Sequence, residues 1–262
     1  MFLSVLAICR VVELEERHGY GFALRHALHH EVSTPFVCVI QHDRTFMRCT
    51  PMEPVVRSMV NRSSGDVKYV GISMRSNLTY RDIFTSKYGK SAVMELLDMV
   101  IHPPELALDA KIYGPKGSSA RDMEGDGKLK KNMDSVAQAY KGCIQNNRHM
   151  EINRDDGKHH LSLTPTLYWY DNVHIVETAH YRDFIFNPLY RLVARGGFVE
   201  DKLSPIITKS VERLGLKEGH AKYACYLLDD HSGYFFTGHL DGGSFMTEDE
   251  KLELQNGKEY NV

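Results

Sequence analysis

The chain has 262 residues, enough for one large domain or two small ones around a sizeable core. It is 42% hydrophobic and 25% charged, with a formal net charge of −2. That is the composition of a globular protein, and its balance gives no reason to expect a nucleic-acid partner.

The opening run MFLSVLAIC is apolar but too short to span a bilayer, and it lacks a basic leader and a small-residue cleavage site. It reads as part of a strand over 2–13. The turn His18-Gly19-Tyr20-Gly21 follows, then a helix over 22–31 with Leu24, Ala27, Leu28 and Val32 on one face. Thr34-Pro35 stops it. Phe36 to Ile40 (FVCVI) is a continuous apolar run, the pattern of a central parallel strand covered on both faces.

A helix is predicted from Pro51 to Val60, a strand from Val67 to Ser73 and a helical periodicity from Tyr80 to Met99. This β-α-β-α order predicts an α/β fold with a mostly parallel sheet flanked by helices. Residues 114–160 are rich in Gly, Asp, Lys and Asn and read as an insertion or mobile loop between a first half, 1–113, and a second, 161–262. The second half opens with an aromatic-rich stretch. A short helix over 189–194, a longer one over 201–214, and strands over 223–228 and 234–240 follow.

The five cysteines (9, 38, 49, 143 and 225) fit no zinc or Cys-x-x-Cys spacing and read as reduced thiols. This favours the cytoplasm or the cytoplasmic face of a membrane, with the Golgi the alternative for a chain lacking its N-terminal part. No transmembrane segment is visible.

Four clusters are placed to carry chemistry. Gln41-His42-Asp43-Arg44 follows an apolar strand, where open α/β sheets bind ligands. Its lone carboxylate, Asp43, suits a hard divalent ion, and His42 offers an imidazole. Glu200-Asp201 stands at a turn beginning with Gly196-Gly197, and serves equally as a helix start favoured by the dipole. His239 lies beside Asp241 in a late strand. Trp169, Asp171, His174 and Arg182 mix aromatic faces with polar groups, which suits a sugar but also suits core packing.

The apolar strand ending in Gln41-His42-Asp43, with a Gly-containing turn and helix carrying Arg25 upstream and Glu200-Asp201 downstream, resembles the pattern of family-2-like glycosyltransferases of the GT-A type. The resemblance spans roughly residues 10 to 245. It departs from the usual Asp-x-Asp by placing Gln at 41, and it implies that the first part of the donor-binding half is missing. It implies a GT-A fold, related to the Rossmann type, with a donor-binding half and an acceptor-binding half.

It further implies transfer from a UDP- or GDP-sugar to a carbohydrate, lipid or protein acceptor, with inversion. Arg25, Gln41, His42, Asp43 and Arg44 would bind the donor. Asp43, with His239, would hold Mn²⁺ or Mg²⁺. Asp201 would be the general base and Glu200 its partner, while Trp169, Asp171, His174 and Arg182 would form the acceptor side. Two other readings compete. One is a catalytically degenerate carbohydrate-binding or interaction protein on the same scaffold. The other is a metal-dependent phosphohydrolase, suggested by His42-Asp43.

Overall fold

The computed structural model describes residues 11–61, 66–72, 86, 89, 91–92, 94–96, 98–114, 157–193, 196–230 and 236–239. The expectations for the first ten residues and for most of the 114–160 insertion lie outside these.

The architecture is mixed α/β. Its main sheet has five strands in the order β1 (Phe36–Val39), β7 (His174–Glu177), β3 (Tyr69–Ile72), β8 (Cys225–Asp229) and β6 (Ser162–Pro165). Only β3 and β8 run parallel; β7 is antiparallel to both β1 and β3, and β6 is antiparallel to β8. The mostly parallel sheet expected from the sequence is therefore corrected to a mostly antiparallel one. The physical reason is that the helices between 20 and 61 do not carry the chain across to a parallel neighbour of β1. The neighbour of β1 arrives much later, as β7.

Nor is Phe36–Ile40 central. Among the described strands β1 stands at the sheet edge, where Cys38 and Ile40 are exposed. The inner strands explain why their sequences read as unbroken apolar runs. Successive side chains point to opposite faces, and both faces are covered. In β8, Cys225 and Leu227 enter one core, while Tyr226 and Leu228 enter the other. β3 divides likewise, with Tyr69 on the first side and Val70 and Ile72 on the second.

The first core is closed by α1 (Tyr20–His30) and α4 (Val199–Leu214), which contribute Leu28 and Val199, Leu203, Ile207 and Val211. The second is closed by α2 (Met52–Asn61), through Val55 and Met59. Helix α3 (Ala110–Tyr113) is a single turn capped by the Asp109 carboxylate, which accepts from the Lys111 amide at 2.8 Å. Helix α5 (Leu216–Ala221) folds back on α4 so closely that a Cβ at Gly219 would sit 2.5 Å from Val211 Cα.

The two late strands do not form a hairpin. β8 belongs to the main sheet, while β9 (Thr237–His239) pairs with β2 (Arg44–Phe46) in a separate ribbon. A third pair, β4 (Ala107–Asp109) and β5 (Lys158–His160), completes the sheets. The short helix expected over 189–194 is absent from its described residues: Arg191 has φ 52°, which no right-handed helix accepts. A π-helical turn, His180–Ile185, precedes that segment instead.

Candidate functional site

Three of the singled-out segments meet at the start of α1. The Gly19 turn abuts the Gly196-Gly197 turn, and the Gly21 amide donates to the Gly197 carbonyl at 3.2 Å. Gly19 has φ 74°, and a Cβ there would lie 2.5 Å from Gly196 Cα. Only glycine meets both demands. This contact seats Tyr20 between two polar groups distant in sequence. Its ring packs against Phe198 at 5.1 Å. Its hydroxyl is pushed well above the usual phenol range, first by burial and then by the Asp171 carboxylate. The Gln41 side chain, Glu200 and Arg44 also act on it. Gln41 and Arg44 on one side of the sequence and Asp171 and Glu200 on the other thus act electrostatically on one buried hydroxyl.

On the strand side, Arg44 Nε donates to Gln41 Oε1 at 3.1 Å and stands 3.7 Å from an Asp43 oxygen. His42 is exposed, whereas Gln41, Asp43 and Arg44 are half-buried. Pairing of β2 with β9 sets His239 opposite Arg44, one position beyond Asp43. The imidazole of His239 lies outside the described side chains. Asp43 offers a hard oxygen donor, and His239 is of a residue type that suits Mn²⁺. Among the described residues no group of three metal-donor side chains is gathered.

On the helix side, α4 starts at Val199, and the carboxylates of Glu200 and Asp201 act at that start. Asp201 is exposed, and its Oδ2 accepts from the Phe198 amide at 3.2 Å. Glu200 turns inward. Its Oε2 accepts from the Asp171 amide at 3.0 Å, and its own amide donates to Asp171 Oδ2 at 2.9 Å. One turn on, Ser204 Oγ accepts from the Trp169 amide at 3.0 Å and donates to the Trp169 carbonyl at 2.9 Å. Residues 169–171 are thus clamped along the first two turns of α4 by paired bonds at each end.

Asp171 is buried, and its carboxyl is raised to about 7. Burial is the main cause and the Glu200 charge adds to it, while the Glu200 amide and the Trp169 indole oppose it. Trp169 and His174 are core side chains. With Tyr69 and Tyr181 they make a four-ring cluster, in which Tyr69 and Trp169 lie 4.3 Å apart and Trp169 and Tyr181 5.1 Å apart. Desolvation lowers His174 to about 4, so it is neutral near pH 7, and Nδ1 meets the Asn172 carbonyl at 2.6 Å. Both are fully enclosed and serve as the floor beneath the clamp, which leaves no face for a sugar to stack on.

Arg25 and Arg182 lie elsewhere. Arg25 stacks over the Phe22 ring at 5.7 Å, and Arg182 pairs with Asp183 at 2.7 Å. Both act on His29, whose imidazole is lowered by burial and then by these two cations.

Tyr20 is the residue that sequence reasoning missed. Its signal was an aromatic held between two glycines, at the start of an amphipathic helix. A second buried polar group was missed as well. Arg48 bonds Asp230 Oδ2 and the Tyr113 carbonyl, both at 2.5 Å, and lies 4.2 Å over the Phe236 ring. His159 Nε2 is 3.0 Å from the same Asp230 oxygen.

No helix among the described residues is long and apolar enough to cross a membrane. A scan against family models finds no match to the chain, and searches of curated proteins and of solved structures find none either.

Proposed function

We propose that the chain is a glycosyltransferase of the GT-A type that moves a sugar from a UDP- or GDP-sugar to a hydroxyl acceptor with inversion. The observation that carries the reading is the convergence at Tyr20. The polar string at the end of β1 and the acidic start of α4 stand some 160 residues apart in the chain, and both bear on one hydroxyl. A transferase needs its donor-diphosphate group and its acceptor base on two sides of one cleft, and these are the two clusters that the resemblance assigns to those roles.

In this reading Asp43 and His239 would hold Mn²⁺ or Mg²⁺, which when bound offsets charge on the departing nucleoside diphosphate. Arg44, braced by Gln41, adds a fixed positive group on that side. The acceptor oxygen forms a bond to the anomeric carbon while the bond from that carbon to the diphosphate oxygen breaks. The acceptor's proton goes to Asp201, whose exposed position at the helix start suits a base that meets substrate. Glu200 holds the Trp169–Asp171 segment against α4, and so fixes the wall beside that base. A GT-A arrangement of the whole sheet and the nucleotide-binding role of residues 1–113 belong to the same proposal.

The degenerate, carbohydrate-binding alternative draws on one observation: the Gln41 side chain that replaces a metal-binding carboxylate is bonded within the protein, to Arg44. Release of UDP or GDP from a panel of nucleotide sugars in the presence of Mn²⁺ separates the two. The enzyme reading predicts turnover that falls about 10²–10⁴-fold in Asp201→Asn, the usual worth of a general base. Sugar binding with no nucleotide release by the folded chain would select the alternative.

A further inference from the structure

Helix α1 carries a feature that the proposed transferase does not use. His26, His29 and His30 lie within its last five residues. The i, i+4 spacing stacks His26 and His30 on one face of the helix, and their ring centroids are 4.6 Å apart. His29 and His30 are exposed and His26 is half-buried, so the face opens to solvent. The His29 ring lies 6.4 Å from that of His30 and is acted on by the charges of Arg25, Arg182 and Asp183.

We propose that His26 and His30 form a surface site for a borderline-soft divalent transition cation such as Zn²⁺ or Ni²⁺. An ion bound by two imidazoles takes each nitrogen at about 2.0–2.1 Å, and the side-by-side rings supply two such donors from one rigid helical turn. Water completes the coordination, since no third metal donor among the described residues is gathered with them. The donor chemistry separates this site from the one at Asp43. Imidazole pairs favour Ni²⁺, Cu²⁺ and Zn²⁺ over Mn²⁺, whereas carboxylate and water suit Mn²⁺ and Mg²⁺. Cross-linking the last turn of α1 to the turn before it stabilises the helix that begins at Tyr20. The site stands whether or not the chain is a transferase.

The test is calorimetry with Ni²⁺ alone on the full chain, beside His26→Ala, His30→Ala and Asp43→Ala, with thermal unfolding recorded with and without the ion. His30 is exposed and His26 half-buried, and circular dichroism verifies that each variant is folded. Binding of about one ion in the micromolar range is expected. It weakens at least tenfold in His26→Ala and in His30→Ala and is kept in Asp43→Ala, and the Ni²⁺-dependent rise in Tm shrinks in the same two variants. The same affinity and the same rise in Tm in both histidine variants would overturn the proposal. Loss in Asp43→Ala with retention in the histidine variants would also overturn it, by placing the ion at the cleft.

Discussion

A buried carboxylate costs the fold when it ionises, and Asp171 is such a group. Its unfolded value is the ordinary 3.8, and its folded value is about 7. The folded state therefore holds the proton more tightly across that interval. The contribution to stability is greatest below pH 4, declines as pH rises from about 4 to about 7, and is constant above. Asp171→Asn removes this pH dependence. Denaturant unfolding at pH 5 and pH 8 is expected to show the variant gaining stability relative to wild type at the higher pH. A difference that does not change with pH would show that Asp171 does not titrate in that window.

Asp230 presents the opposite case. It is the carboxylate partner of the buried Arg48 guanidinium, and Asp230→Ala strands that cation in the interior. Breaking a buried pair from one side typically costs about 3–5 kcal/mol, so a loss of that size is expected in urea unfolding. Lys68 and Glu177 pair at the same 2.5 Å, but both are partly solvated. Lys68→Ala is expected to cost less than about 1 kcal/mol in the same measurement.

The contact between two glycine turns decides whether the site exists at the scale of elements. Gly19→Ala forces a left-handed residue to carry a Cβ against the Gly196 backbone, whereas a Cβ at Gly196 meets nothing within 4 Å. Both positions have positive φ, so both substitutions are strained, at about 1–3 kcal/mol. Only Gly19→Ala also pushes Tyr20 off its seat. It is expected to lose more stability than Gly196→Ala and to abolish nucleotide release, while Gly196→Ala keeps it.

The glycines, the strand over 67–73 and the helix near 201–214 were legible in the sequence because each rests on local signals: turn residues, an apolar run and a 3.6-residue period. The direction and neighbours of strands were not. Phe36 to Val39 reads as apolar whether it is central or at an edge, and nothing local announces that His174–Glu177 will pair with it. Of the candidate residues, Gln41 and Arg44 are bonded to each other, and both act with Glu200 on the Tyr20 hydroxyl. Trp169 and His174 were ambiguous, since a sugar platform and a core cluster use the same rings; their burial is set by α4 and by Tyr69 and Tyr181, far away in the chain.

At the scale of the molecule, the sheet separates two cores, and the candidate site depends on only one of them. Leu203 is fully buried on α4 in the first core, whereas Val55 lies on α2 in the second. Large-to-small changes in either core cost stability, about 2–5 kcal/mol for Leu203→Ala. The change at Leu203 also loosens the helix that carries Glu200 and Asp201, so nucleotide release should fall beyond what the unfolded fraction explains. Val55→Ala should lower stability alone.

The most direct test of the central claim is calorimetric titration of the full chain with UDP and GDP, with and without Mn²⁺, beside Asp43→Ala. The account predicts that one nucleotide binds, that binding requires Mn²⁺, and that Asp43→Ala loses it while remaining folded. A folded wild-type chain that binds neither nucleotide, or one whose binding is indifferent to Mn²⁺ and to Asp43, would contradict it.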